Sequence, residues 1–228
     1  MTIIYEDNHL VAVAKTCHEI VQGDKTGDEP LVETLKRHIK ERDAKPGNVF
    51  LGVTHRLDRP TTGVVLFAKT SKALERLNAM FQRGEVHKTY WAIVARTPEL
   101  AVTPDLTELT HWLTRNERQN RSYAHPHEVP GSKLARLRWR TASLGERYAL
   151  VEVQLLTGRH HQIRCQLAAI GLPIRGDLKY GAPRSNPDGG ISLHARRIEL
   201  VHPVSKQTIV IEADPPQDAL WQALSPQR

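Results

Sequence analysis

At 228 residues the chain is long enough for one large domain or two small ones around a sizeable core. Its 39% hydrophobic and 25% charged residues fit a globular protein, and a formal charge of +7 points to a polyanionic partner. Two cysteines, Cys17 and Cys165, exclude a disulfide scaffold and a cysteine-rich zinc site. No basic start precedes an apolar stretch, and no apolar run nears the roughly 20 residues that span a bilayer, so a cytoplasmic protein is expected.

Residues 2–6 and 9–15 read as two β-branched strands around the turn-prone Glu6-Asp7-Asn8. After Pro30, Leu31, Leu35 and Ile39 recur at helical spacing, with Lys36, Arg37, Lys40 and Arg42 outward as a solvated face. Lys45-Pro46-Gly47-Asn48 breaks the chain before a strand over 49–54. That strand delivers His55-Arg56-Leu57-Asp58-Arg59-Pro60-Thr61-Thr62-Gly63, which runs into the apolar strand Val64-Val65-Leu66-Phe67-Ala68. Asp58 stands between Arg56 and Arg59. Opposite charge on both sides favours an ionised carboxylate, and such a group at the mouth of a strand is a candidate nucleophile or base. A structural Arg-Asp-Arg ion-pair cluster accounts for the same charge pattern.

Ala73, Leu74, Leu77, Met80 and Phe81 mark a helix with one apolar stripe, ended by Gly84. The strand His87–Val94 follows and places Tyr90, Ala92 and Val94 on one face, where Tyr90 by itself reads as a core residue. Residues 97–135 are the least regular part. They interleave His111, Trp112, Arg115, Arg118, Arg121, Tyr123 and Lys133, a mix suited to phosphate contacts and base stacking, or to a solvated excursion between strands.

Strands are expected at 134–143 and 147–157. In Leu155–Arg164 the strand ends at Gly158 and a helix begins, carrying Ile163, Leu167 and Ile170 inward and closing at Gly171. Arg164 lies in its early turns, near an N-terminus that favours anions. His160, His161 and His194 have no acidic or cysteine partner at ligand spacing, so no metal site is expected. Gly176 and Gly181 place a loop that carries a second carboxylate, Asp177. Leu193-His194-Ala195 reads as a strand at the sheet's edge, residues 207–212 as a final strand, and Leu220 and Trp221 as a short closing helix.

Taken together, HRLDRPTTGVVLFAKT, the Lys88-x-Tyr90 strand and Thr157-Gly158-Arg159-His160-His161-Gln162-Ile163-Arg164 resemble the RluA-type RNA pseudouridine synthases. Pro173–Gly181 and Leu193-His194-Ala195 match further elements of that family. Thr62 replaces a frequent serine, Pro60 stands where an acidic residue is common, and Lys15-Thr16-Cys17-His18 replaces a usual Lys-Pro-Ala-Gly.

The resemblance implies an α+β fold: a mixed, mostly antiparallel bent sheet with flanking helices and a central catalytic cleft, in one domain over residues 1–228. It implies isomerisation of uridines in ribosomal or transfer RNA to pseudouridine after base flipping. Asp58 would be the nucleophile, Tyr90 would pack on the target base, Arg164 would pair with Asp58 across the cleft, and Asp177 would be structural. The reaction involves no redox or phosphate chemistry, so neither a cofactor nor a metal is expected. Further RNA contacts are expected from His55, Arg56, Arg115, Arg118, Arg121 and Lys133, without an appended RNA-binding module, in a monomer. Two rivals stand beside this reading. One is a noncatalytic RNA-binding protein on the same scaffold. The other is a carboxylate hydrolase of nucleosides or glycosides, which normally needs a paired acid; neither Asp177 nor Glu85 has a motif for that role.

Overall fold

The apolar run Thr62–Ala68 is the buried central strand of the molecule, here called β4. Both of its faces are covered, so it reads as an unbroken hydrophobic stretch rather than an alternating one. The computed structural model describes residues 1–24 and 26–226. Before β4 come β1 (Thr2–Glu6), β2 (Leu10–Lys15), α1 (Leu31–Arg42) and β3 (Gly52–Val53). After it come α2 (Ser71–Arg83), β5 (His87–Ala95), β6 (Thr107–Asn116), β7 (Arg121–His125), β8 (Lys133–Leu144) and β9 (Tyr148–Leu155). The chain then forms α3 (Gln162–Ala169), a 3-10 turn at Leu178–Tyr180, β10 (Leu193–Val201), β11 (Thr208–Glu212) and α4 (Ala219–Leu224).

Among the described residues, the strands make one sheet in the order β1-β2-β4-β10-β5-β9-β8-β6-β7, with β11 on β10 and β3 on β4. Strand alternation gives the sheet two apolar faces. Val11, Val13, Val65, Phe67, Tyr90, Ala92 and Val94 face α1, through Leu31, Leu35 and Ile39, and α3, through Ile163 and Leu167. Leu10, Ala12, Val64 and Leu66 face α2 through Ala73, Leu77 and Met80. Farther along that second face, Ile93 and Leu150 pack on Trp221 and Leu224 of α4.

Pairing is antiparallel except between β4 and β10, where His194 lies opposite Thr62 and Ala195 opposite Gly63. Gly63 has φ +115°, and a Cβ there would lie 2.3 Å from the Ala195 carbonyl oxygen, so only glycine allows this junction. Beyond it β10 pairs with β11 through Arg197–Val201. At Leu66 of β4, side chains supply hydrogen bonds. Thr54 Oγ1 donates to the Leu66 carbonyl at 2.6 Å, and the Leu66 N–H donates to His55 Nε2 at 3.0 Å. β3 resumes the ladder at Phe67 and Ala68.

The opening hairpin, the helices after Pro30 and Thr70, and the central strand agree with the pattern of the sequence. Four expectations need correction. The strand over 49–54 shortens to Gly52–Val53, because Thr54 and His55 give side chains rather than backbone to β4. Residues 97–135 are more regular than expected: β6 and β7 form an antiparallel hairpin there and β6 pairs with β8. Leu113 and Ser122 are the buried residues of that hairpin, so it carries almost no apolar signal. β10 is not an edge strand but lies between β4 and β5. Ile170 caps α3, 36% exposed, because the helix has already ended at Ala169.

Candidate active site

Asp58 sits on the loop between β3 and β4, on the sheet face that α1 and α3 share. Leu57, beside it, is anchored in that core. The loop backbone is clamped from below. Lys15, at the end of β2 and 2% exposed, donates to the carbonyls of Thr16, Arg59 and Thr61 at 2.8 Å, with the Asp58 carbonyl at 3.3 Å. Three ammonium hydrogens match the three shorter bonds. Burial pulls the Lys15 pKa down to about 8.

The Asp58 side chain is 32% exposed, and its Oδ2 receives Arg164 Nη1 at 3.2 Å. Arg164 lies one turn into α3 and is almost fully buried. Asp177, 1% exposed in the loop after α3, aims it by accepting from Nε at 2.6 Å and from Nη2 at 2.8 Å. One buried guanidinium therefore serves two carboxylates, and the bidentate grip is on Asp177. The expected Asp58–Arg164 pair is present, 106 residues apart in sequence.

The flanking arginines do not hold Asp58. Arg59 turns away to Asp28 Oδ2 at 2.6 Å and Thr26 Oγ1 at 2.9 Å. Arg56 is exposed and makes no ion pair among the described residues. Neighbours in sequence point to different sides of an extended loop, which the charge pattern alone does not reveal.

His161 is the residue that sequence reasoning passed over, having weighed it only as a metal ligand. It caps α3 with left-handed backbone, φ 51°, a conformation that costs a non-glycine residue on the order of 1 kcal/mol or more. Gln162 fixes this turn. Its Oε1 accepts from Thr157 Oγ1 at 2.8 Å and the Arg159 N–H at 3.0 Å, and its Nε2 donates to the Arg136 carbonyl at 3.0 Å. The Tyr180 hydroxyl accepts the Ser122 N–H at 2.8 Å, which leaves its own proton for His161 Nδ1 at 3.0 Å. That assignment puts the imidazole hydrogen on Nε2, 3.6 Å from Asp58 Oδ2. Burial, with the nearby Arg164 charge, pushes the His161 pKa down to about 2, so the ring is neutral beside Asp58. His160 stacks on it at 3.8 Å and bonds to Asn120 and Ser122.

Tyr90 lies on β5, 7% exposed, in the apolar cluster that contains Leu57. Burial and the charge of Asp58 raise its phenol pKa, so the hydroxyl keeps its proton. His55 is turned inward as the partner of Leu66, and burial lowers its pKa to about 3. Arg115, on β6, is exposed and close enough for its charge to act on His160 and His161. Arg118 is exposed in the β6–β7 turn, and Lys133 is exposed at the start of β8. Arg121 is half-buried between the rings of Tyr123 and Tyr180, 5.3 Å from each centroid. Lys179 ties the β6–β7 turn to the 3-10 turn through the carbonyl of Asn120 at 3.0 Å. Among the described residues, no group of three or more His, Cys, Asp or Glu side chains is placed to hold a metal ion.

The mixed sheet thus presents a partly exposed carboxylate, Asp58, bonded to the buried Arg164 and near Tyr90. Residues 9–169 match the model of the RNA pseudouridylate synthases, and the chain belongs to that family. It is 33% identical to an uncharacterized RNA pseudouridine synthase of Synechocystis, over 95% of this chain and 66% of that one. It is 31% identical to tRNA pseudouridine synthase C of Vibrio cholerae, over 98% of this chain and 94% of that one. The human RNA pseudouridylate synthase domain containing 4 shares the fold, with a TM-score of 0.75 at 23% identity over 95% of this chain and 89% of its own. The chain thus spans just under two thirds of the Synechocystis relative and nearly all of the Vibrio one.

Proposed function

We propose that the protein converts uridines of structured RNA, transfer or ribosomal, to pseudouridine, with Asp58 as the reacting carboxylate. The observation that carries this reading is the asymmetry of that carboxylate. Oδ2 is held by Arg164 and approached by His161, while Oδ1 has no protein partner among the described residues and belongs to a side chain that is 32% exposed.

In this isomerisation the bond from ribose to uracil N1 breaks, the base turns, and a bond to C5 forms; C5 loses a hydrogen and N1 gains one. The free oxygen of Asp58 assists detachment by adding to the ring, by trapping the anomeric carbon, or by taking a sugar proton. Arg164 fixes the oxygen that does not react, and Lys15 fixes the backbone that carries the side chain. The uridine must first leave its stack at a cost of a few kcal/mol. The ring of Tyr90 is the aromatic face available to the flipped base, a contact worth about 1–3 kcal/mol.

Pseudouridine mapping of total RNA with and without the gene tests this directly, followed by the purified protein acting on an unmodified transcript of the mapped site. Loss of one or more pseudouridines and their restoration in vitro is the expected result. An unchanged map would overturn the activity and leave a noncatalytic RNA-binding protein. Release of free uracil from RNA or uridine would mark a hydrolase instead. A mapped site in transfer RNA would agree with the name of the Vibrio relative.

A further inference from the structure

Among the described residues, Lys88 is a cation without an anion. It lies on β5 two residues before Tyr90, opposite Ile198 of β10 and just past the register shift of that pair. Its ammonium is 5.6 Å from the Phe81 ring centroid and 3.7 Å from where a side chain on Gly158 would begin. Its positive charge also bears on His55. Lys88 therefore sits where three stretches of the site meet: the loop that carries Asp58, the strand of Tyr90, and the turn that leads into His161 and Arg164.

Among the described residues Lys88 forms no hydrogen bond and no ion pair. Burial alone acts on its pKa, downwards, and no carboxylate offsets it. The contrast with its neighbours is marked. Lys15, more deeply buried, has its carbonyl oxygens, and Arg164 has Asp58 and Asp177. A largely desolvated charge without a partner is costly to the fold, and a side chain that is still partly exposed can take an anion that arrives with the substrate. The cation–π contact with Phe81 offsets that cost only in part.

We propose that Lys88 is a substrate-binding residue whose ammonium takes a phosphate oxygen of the RNA strand beside the target uridine. The inference rests on the reading of the cleft as an RNA-modifying site. It gives Lys88 a role separate from those of Asp58 and Tyr90: it holds the backbone next to the nucleotide that must flip, while they act on the flipped nucleotide itself.

The test compares Lys88→Met and Lys88→Arg with the parent, using a short RNA that contains the mapped uridine. Lys88→Met keeps the length and apolar body of the side chain and removes an uncompensated charge. Its melting temperature should therefore stay level or rise, while RNA affinity falls about tenfold, as for one lost charge-assisted hydrogen bond. The slope of log affinity against log salt should flatten by about 0.7–0.9, the share of one phosphate. Single-turnover conversion at saturating RNA should change far less than affinity, and Lys88→Arg should keep most of the salt slope. A lower melting temperature for Lys88→Met with unchanged affinity and slope would show a structural lysine and overturn the inference. A parent that binds RNA but forms no pseudouridine would instead overturn the proposed activity, and the salt slopes would still decide the phosphate contact.

Discussion

Asp177 is 1% exposed, and its removal should damage the fold more than removal of Asp58. Arg164 is 6% exposed and makes three hydrogen bonds to carboxylates, of which Asp177 takes the two shorter, 2.6 and 2.8 Å against 3.2 Å for Asp58. Asp177→Ala strips a buried cation of its bidentate partner, which costs roughly 3–5 kcal/mol and lowers the melting temperature of a chain this size by roughly 6–20 °C. Asp58→Ala leaves that grip intact and removes a group that is 32% exposed, so its cost should stay near or below about 1 kcal/mol. Replacing both buried partners separates ionic from steric effects. In Arg164→Met with Asp177→Leu, no charge is stranded, and most of the stability lost in either single variant should return. Turnover should be lost in that double variant, because nothing then orients Oδ2 of Asp58. Urea titrations of the parent, Arg164→Met, Asp177→Leu and the double variant form the cycle. Additive single-variant costs, or an Asp177→Ala cost below 1 kcal/mol, would refute this account of the buried arginine.

Three further outcomes are expected. Lys15→Met leaves the carbonyls of Thr16, Arg59 and Thr61 without their donor, at about 1–3 kcal/mol for each one that stays buried; an unchanged melting temperature with full turnover would deny the clamp. His55, His161 and His194 have pKa values lowered by burial to about 3, 2 and 4. Because the unfolded chain binds their protons below about pH 6.5 and the fold does not, stability should fall by up to about 4 kcal/mol per pH unit between 6.5 and 4. Urea midpoints that stay constant from pH 7 to 5 would contradict that. Arg115→Ala and Arg118→Ala should each flatten the salt dependence of RNA binding by about one unit, whereas Arg121→Ala should mainly lower the melting temperature, since its guanidinium packs between two tyrosine rings. Equal effects of all three on affinity alone would show that Arg121 contacts RNA instead.

What could be read from the sequence and what could not follow from the range of the interactions. The Asp58–Arg164 contact was legible because each residue lies in a short stretch whose spelling resembles a known family, and the structure brings the two together as expected. Lys15 was invisible as a clamp, since the loop carbonyls it holds, those of Arg59 and Thr61, are more than 40 residues away in sequence. His161 and Tyr180 were missed for a similar reason: each is unremarkable alone, and only packing puts the tyrosine hydroxyl on Nδ1 and Nε2 near Asp58. The Arg-Asp-Arg ion-pair cluster is absent among the described residues, because adjacency in sequence is not contact in an extended loop. β6 and β7 escaped notice because a hairpin buried at Leu113 and Ser122 has no apolar period to detect. β10 was misplaced because burial on both faces does not tell a central strand from an edge strand when the segment is only three residues long.

Asp58→Asn is the most direct test of the central claim, since it keeps the shape of the side chain and removes the carboxylate. Under single-turnover conditions with excess protein and an RNA containing the mapped uridine, the variant should bind RNA within about twofold of the parent and form no pseudouridine. Conversion at a tenth of the parental rate or better would contradict the account, because the chemistry would then proceed without the group on which the whole site converges.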